Sequence, residues 1–153
     1  MHKVEALAAN ISTINPQAQV TAYPQFLTKE HPKLEGVVIM LVDDMNTRKE
    51  LWEAHVKFNP KVKFMIEARM GTHHGQIFTI KPLDMDDINM WESLWFPNED
   101  VVEDVTACGA SQTMCPTASI MAGYMAWQFV QAMNDEEYNR NFTLNLGAVP
   151  LVV

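Results

Sequence analysis

Two aspartates, Asp43 and Asp44, stand directly after the apolar run "VVIMLV" and directly before the helical pattern of "MNTRKELWEA". Carboxylates at the mouth of a buried strand suit two kinds of work. A hard cation such as Mg²⁺ takes oxygen ligands, often one or two carboxylates together with the phosphates of a nucleotide. An aspartate just ahead of a helix instead accepts a backbone N–H from the first turn and complements the helix dipole. Spacing alone leaves both uses open, capping being the more ordinary. A second candidate is Cys108, ahead of "GASQTM" and a helix, a setting that stabilises a thiolate; the plainer alternative is an unreactive buried thiol. Cys108 and Cys115 are seven apart and His73 and His74 are adjacent, with no CxxC pair, so no zinc site is expected. No GxxxxGK[ST], GxGxxG or GxSxG motif occurs.

The elements that must position these residues follow from periodicity. "KVEALAANISTI" places Val4, Leu7, Ala8, Ile11 and Ile14 on one helical stripe, and Asn15-Pro16 ends it. "QVTAYPQFL" is a short strand candidate interrupted by Pro24. "VVIMLV" is apolar on both faces, which predicts a strand covered on both sides of a parallel sheet. A helix is expected over 46–58, capped by Asp44 or Asn46. Strands then follow in "KVKFMIEA" and "GQIFTIKP", whose short connection predicts an antiparallel pair. Residues 82–114 read as acidic and irregular, anchored by Trp91, Trp95 and Phe96. "PTASIMAGYMAWQFVQAM" (116–133) reads as a helix with Pro116 in its first turn, apolar nearly all round and therefore buried, with Ala118, Ala122 and Ala126 on one close-packing face. Its length barely reaches a membrane span and Gln128 and Gln131 interrupt it, so no membrane is expected. "FTLNLGAVPLVV" closes the chain as a strand with a kink at Gly147. The order describes one α/β sandwich with a mixed sheet over 1–153, unusual in opening on a helix.

Bulk properties narrow the partners. A chain of 153 residues that is 48% hydrophobic can bury a real core. Its net charge is −8, and the eleven acids between Pro82 and Asn139 meet no lysine or arginine in that stretch. Such a surface repels phosphate backbones, so no nucleic acid is expected. Nothing at the N-terminus reads as a signal peptide, and two cysteines make no disulfide framework, which predicts a cytoplasmic protein.

Four segments, in order, resemble the ThiF/MoeB/HesA family, relatives of the ubiquitin-activating enzymes. "KVEALAANISTINPQAQVTAYP" is similar to that family's K-V-E-A…I-N-P stretch. "VVIMLVDDMNTRKELWEA" resembles its V-V-D-x-x-D-N-x-x-T-R-x-x-x-N segment, "FMIEARMGTHHGQIFTI" its next strand, loop and G-Q-V strand, and "CGASQTMCPTASIMAGYMAWQFVQAM" its C-x-x-A-G-V entry to a long small-residue helix. The resemblance implies a partial Rossmann-like three-layer sandwich. It also implies ATP and Mg²⁺ as cofactors and adenylation of the C-terminal carboxylate of a ubiquitin-like or sulfur-carrier protein. It matches Lys3 to the lysine that touches the phosphates, Asp43 to the aspartate near metal and phosphates, and Arg48 to the arginine opening the next helix. Asp44, counted with Lys3 and Asp43 among the cofactor-binding residues that the resemblance implies, stands where the family usually has asparagine, and Met40 where it often has aspartate. Cys108 matches a cysteine that in some members takes part in sulfur transfer, and the zinc-binding CxxC pairs of many members are absent.

In the family about a third of the domain, holding the first βαβ unit with its glycine-rich turn, precedes the "KVEAL" helix. The resemblance therefore implies the C-terminal portion of an adenylating domain, inactive by itself. It leaves one edge of the "VVIML" strand bare, and bare edges pair with other chains. A separate chain supplying the front half, a homo-oligomer across the edge, or "QVTAY" pairing directly with "VVIML" are the three expected solutions. The alternative function is a non-catalytic dimerisation or protein-binding scaffold derived from the same fold.

Overall fold

A computed structural model describes residues 1–100 and 115–146. The chain divides into two compact units, Met1–His31 and Pro32–Val153. In the first, helix α1 spans Lys3–Ile14, and its backbone start is closed by Glu5, whose carboxylate accepts the His2 N–H at 2.8 Å. Asn15 donates its N–H to the Ile11 carbonyl and Pro16 follows, so the helix ends where the sequence predicts. The expected strand at "QVTAYPQFL" does not form: residues 19–27 have no strand structure. Pro24 has no N–H to offer a ladder, and Val20, Tyr23 and Phe26 are exposed, so the segment lacks both the bonds and the burial that hold a strand.

The second unit is built on a four-stranded mixed sheet among the described residues, β1 (Gly36–Met40), β2 (Val62–Met70), β3 (His74–Ile80) and β4 (Asn141–Asn145), in that spatial order. β1 and β2 run parallel, with Val38 opposite Met65 and Ile39 opposite Ile66. β2 and β3 are antiparallel, Glu67 facing Phe78, as their short connection predicts. β3 and β4 are also antiparallel. The sheet is open, and with helices on both faces it is the partial Rossmann-like α/β architecture expected from the sequence.

Alternation along the strands assigns the faces. Phe64 and Ile66 of β2 and Ile77 of β3 form one core with Met121 and Ala132 of α4 (Cys115–Met133). On the other face α2 (Met45–Leu51), extended by a π-helical turn over Trp52–Val56, packs beside α3 (Met85–Ser93). The indoles of Trp52 and Trp91, both fully buried, stack there with ring centroids 4.6 Å apart. Truncating either ring to alanine would remove a large buried surface and leave a cavity.

Three expectations need correction. Residues 82–114 are not irregular throughout, since α3 and a 3₁₀ turn at Asn98–Asp100 lie within them. The acids that suggested a solvated loop are a helix start: Asp84 accepts the Asp86 and Asp87 N–H groups, and acids in the first turn favour the dipole. The three aromatic anchors do hold this stretch down, Trp91 in the core and Trp95 by an indole N–H donated to the Met45 carbonyl at 3.0 Å, while Phe96 lies against Arg69. Second, α4 is not buried all round. It meets β2 and β3 through Thr117, Met121, Gln128 and Ala132, whereas Ile120, Trp127, Val130 and Met133 are 40–55% exposed. One sheet face covers only one stripe of a helix, and Ala122 and Ala126 are exposed along an apolar groove instead of being close-packed. No helix among the described residues is long and apolar enough to cross a membrane. Third, β1 is covered on one face only. Val38 and Met40 are buried, but Ile39 is 54% exposed, because α4 lies over β2 and β3 and stops short of the sheet's β1 edge. An apolar groove remains there, lined by Ile39, Leu41, Ile66, Met125 and Phe129. The kink placed at Gly147 lies outside the described residues.

Candidate functional site at the C-terminal end of β1

β1 delivers Asp43 and Asp44 to the C-terminal end of the parallel pair, the side on which open α/β sheets bind ligands. The two acids then divide the work that their spacing left open. Asp44 caps α2: its Oδ1 accepts the Thr47 N–H at 2.6 Å, and its Oδ2 accepts from the Asn98 side-chain amide. Asn98 returns a bond, its Oδ1 accepting the Met45 N–H at 2.8 Å, so the turn after α3 is tied to the start of α2. Hydrogen bonds from Thr47 and Asn98 hold the Asp44 carboxyl below the usual carboxylate range. A carboxylate favoured in the fold contributes stability that is present above its unfolded pKa and lost as pH falls through its folded value. Asp44→Ala is accordingly expected to lower the melting temperature at pH 7, and the gap from the natural protein should close as the pH drops below about 4. Thermal denaturation at several pH values checks this; a gap that persists in acid would mean that the carboxylate's charge is not what the cap uses.

Asp43 is exposed. Behind it stands Arg48, one turn into α2 and buried, whose positive charge Asp43 favours. Arg48 donates from Nη1 to Glu67 Oε1 at 2.9 Å. Burial pushes the guanidinium's affinity for its proton down, and Glu67 opposes that shift. Glu67, fully buried in the middle of β2, also takes Arg69 Nε at 2.7 Å on the same oxygen and the Trp91 indole N–H on the other. Arg69 in turn donates Nη1 to the Leu94 carbonyl at 2.7 Å and lies over the Phe78 ring, 4.5 Å from its centroid. The site is thus an exposed carboxylate backed by a buried Arg–Glu–Arg cluster.

The structure brings Asp43, Asp44 and Arg48 together. Lys3 opens α1 in the first unit and is exposed. Cys108 lies outside the described residues. Glu67, Arg69 and Asn98 are additions that sequence reasoning missed. A signal for the first two was present: two charges at i and i+2 within the apolar strand "KFMIEARM" must share one face, and a shared buried face demands partners. Nothing local marks Asn98, whose role depends on a contact 54 residues away in sequence.

Among the described residues no three His, Cys, Asp or Glu side chains converge on a point that would hold a metal unaided. That donor set fits Mg²⁺, which keeps waters and phosphate oxygens and asks the protein for as little as one carboxylate. An acid at the mouth of a parallel strand, with a buried arginine behind it, lies where open α/β sheets bind their ligands. The chain belongs to the ThiF family, whose model matches residues 1–149. No curated protein matches it in sequence. Membership points to adenylyltransferase-like chemistry on ubiquitin-like or sulfur-carrier proteins, with ATP and Mg²⁺ as the family's usual cofactors.

Proposed function

We propose that this chain supplies the metal side of an adenylyl-transfer site in which the C-terminal carboxylate of a ubiquitin-like or sulfur-carrier protein is activated with ATP. The observation that carries the reading is the placement of Asp43, exposed at the C-terminal end of β1 with Arg48 buried behind it, in a chain of this family. When bound, Mg²⁺ would neutralise phosphate charge and help hold the phosphates in line. Asp43 would hold the ion through one oxygen, Lys3 would meet phosphate oxygens, and Asp44 would keep α2 and the site's floor in place rather than bind the cofactor directly. Arg48 presents a fixed positive charge that needs no reorganisation when negative charge builds up on the ligand. Cys108 is the position at which sulfur transfer would take place in this reading.

The glycine-rich turn whose amides cradle phosphates does not occur in these 153 residues. The cradle in this reading comes from outside these 153 residues, which by themselves do not adenylate. Calorimetric titration of the 153-residue chain with Mg·ATP should give no binding tighter than the millimolar range. Micromolar binding by the chain alone would overturn the claim that the site is shared.

One observation favours a second reading, a scaffold that binds protein without ATP chemistry. The edge of β1, which has β2 as its one strand neighbour among the described residues, the groove beside it, and the exposed Ile120, Trp127 and Val130 of α4 make an apolar surface suited to another chain or a second copy. Pyrophosphate release on adding a carrier protein to the assembled complex separates the two: a scaffold releases none.

A further inference from the structure

The cluster behind Asp43 holds more charge and more donors than packing α2 and α3 on the sheet requires. Two guanidiniums and one carboxylate leave a buried net charge of one positive unit, on side chains 6% (Arg48), 8% (Arg69) and 0% (Glu67) exposed. Glu67 Oε1 takes both Arg48 Nη1 and Arg69 Nε, Oε2 takes Trp91, and the Leu94 carbonyl takes Arg69 Nη1. Two nitrogens remain, Arg48 Nε and Arg69 Nη2, buried and without a hydrogen-bond partner among the described residues. Buried donors are nearly always satisfied, and an uncompensated buried charge is costly, so both features call for an acceptor that carries negative charge. The two guanidiniums meet at the same carboxylate oxygen, on the residue that pairs with Met40 at the C-terminal end of β1.

We propose that Arg48 and Arg69, held as a pair by Glu67, form a binding site for a phosphate-class oxyanion, with Arg69 as its second arm and Glu67 as the positioning residue. The choice of arginine fits, since a planar fork meets phosphate oxygens with fixed geometry where an ammonium does not. The faces of Phe78, Trp91 and Phe96 around the Arg69 guanidinium hold that fork flat. Leu94 and Phe96, at the exposed edge of the segment after α3, cover Arg69, and the anion reaches it by displacing that edge. The inference rests on the reading of Asp43 and Arg48 as the phosphate side of the site, and its test separates the two.

The three arginines, Arg48, Arg69 and Arg140, give three side-chain Nε–H resonances in the ¹⁵N-labelled chain. Titration with inorganic pyrophosphate, with Mg²⁺ and again with EDTA, should shift the Arg48 and Arg69 signals saturably in at least one of the two series and leave Arg140 in place. A parallel titration with ATP tells a nucleotide's phosphates from a free oxyanion. Arg69→Lys keeps the charge but loses the fork, and should weaken pyrophosphate binding about tenfold, the worth of one charge-assisted bond. Stationary Arg48 and Arg69 signals in both series, drift of all three with ionic strength alone, or Arg69→Lys binding as tightly as the natural chain would each overturn the proposal. Should Arg69→Lys fail to fold, the titration of the natural chain decides by itself. Arginine shifts without any carrier-dependent pyrophosphate release would keep the anion site and sink adenylyl transfer; turnover with unmoved arginines would do the reverse.

Discussion

Replacing Glu67 with alanine is expected to destabilise the fold by about 3–5 kcal/mol, the cost of breaking a buried ion cluster by removing one partner. The side chain is fully buried and accepts from Arg48, Arg69 and Trp91 at once. Without it two guanidiniums stay in the interior with no carboxylate between them, and an indole N–H loses its acceptor. A domain of this size has a total stability of roughly 5–15 kcal/mol, so the variant should stand at or near the edge of folding. The urea midpoint measures the loss. Exchanging Glu67, Arg48 and Arg69 together for apolar residues of similar volume should cost far less, because no charge is then left unpaired. A loss under about 1 kcal/mol for the single change would mean that water reaches the guanidiniums and that the cluster is not sealed.

Asp43→Ala should do the opposite, leaving stability alone and removing activity. Asp43 is exposed, and the cap of α2 belongs to Asp44, so the melting temperature should stay within the range typical of surface substitutions. In the assembled complex of the proposed function, carrier-dependent pyrophosphate release should fall by about 10²–10³-fold, the usual effect of deleting one charge-stabilising group. The paired comparison is informative: Asp44→Ala lowers stability through the cap, and Asp43→Ala lowers turnover through the ligand. Unchanged turnover in Asp43→Ala would remove the residue from the site and with it the main support for the proposed function.

The neighbouring acids show how far local sequence can go. Capping is a contact over three residues, so "DDMNT" already contains the Asp44–Thr47 bond. The antiparallel β2–β3 pair was legible for the same reason, its connection being too short for a crossover. The stripe of α1, its end at Asn15-Pro16 and the long helix at α4 followed from periodicity and from proline. The misreadings share another cause. The apolar faces of β1 and α4 promised burial, but burial depends on what lies opposite, and the described sheet offers α4 one face and leaves Ile39 uncovered. The acids of 82–100 looked like solvated loop because composition does not say that Asp84 turns its carboxylate onto the next two amides.

By itself the sequence determined the α/β class, the element that carries Asp43 and the family, since each is written in a short window or in the order of such windows. Only the tertiary structure decided that Glu67 joins Arg48 to Arg69, that Asn98 ties the turn after α3 to α2, and that β1 keeps one open face. Apart from Glu67 and Arg69, two positions apart on one strand face, those contacts join residues about 20 to more than 50 positions apart. At such separations no periodicity or spacing rule links the partners, and the energy of the whole packed core selects them.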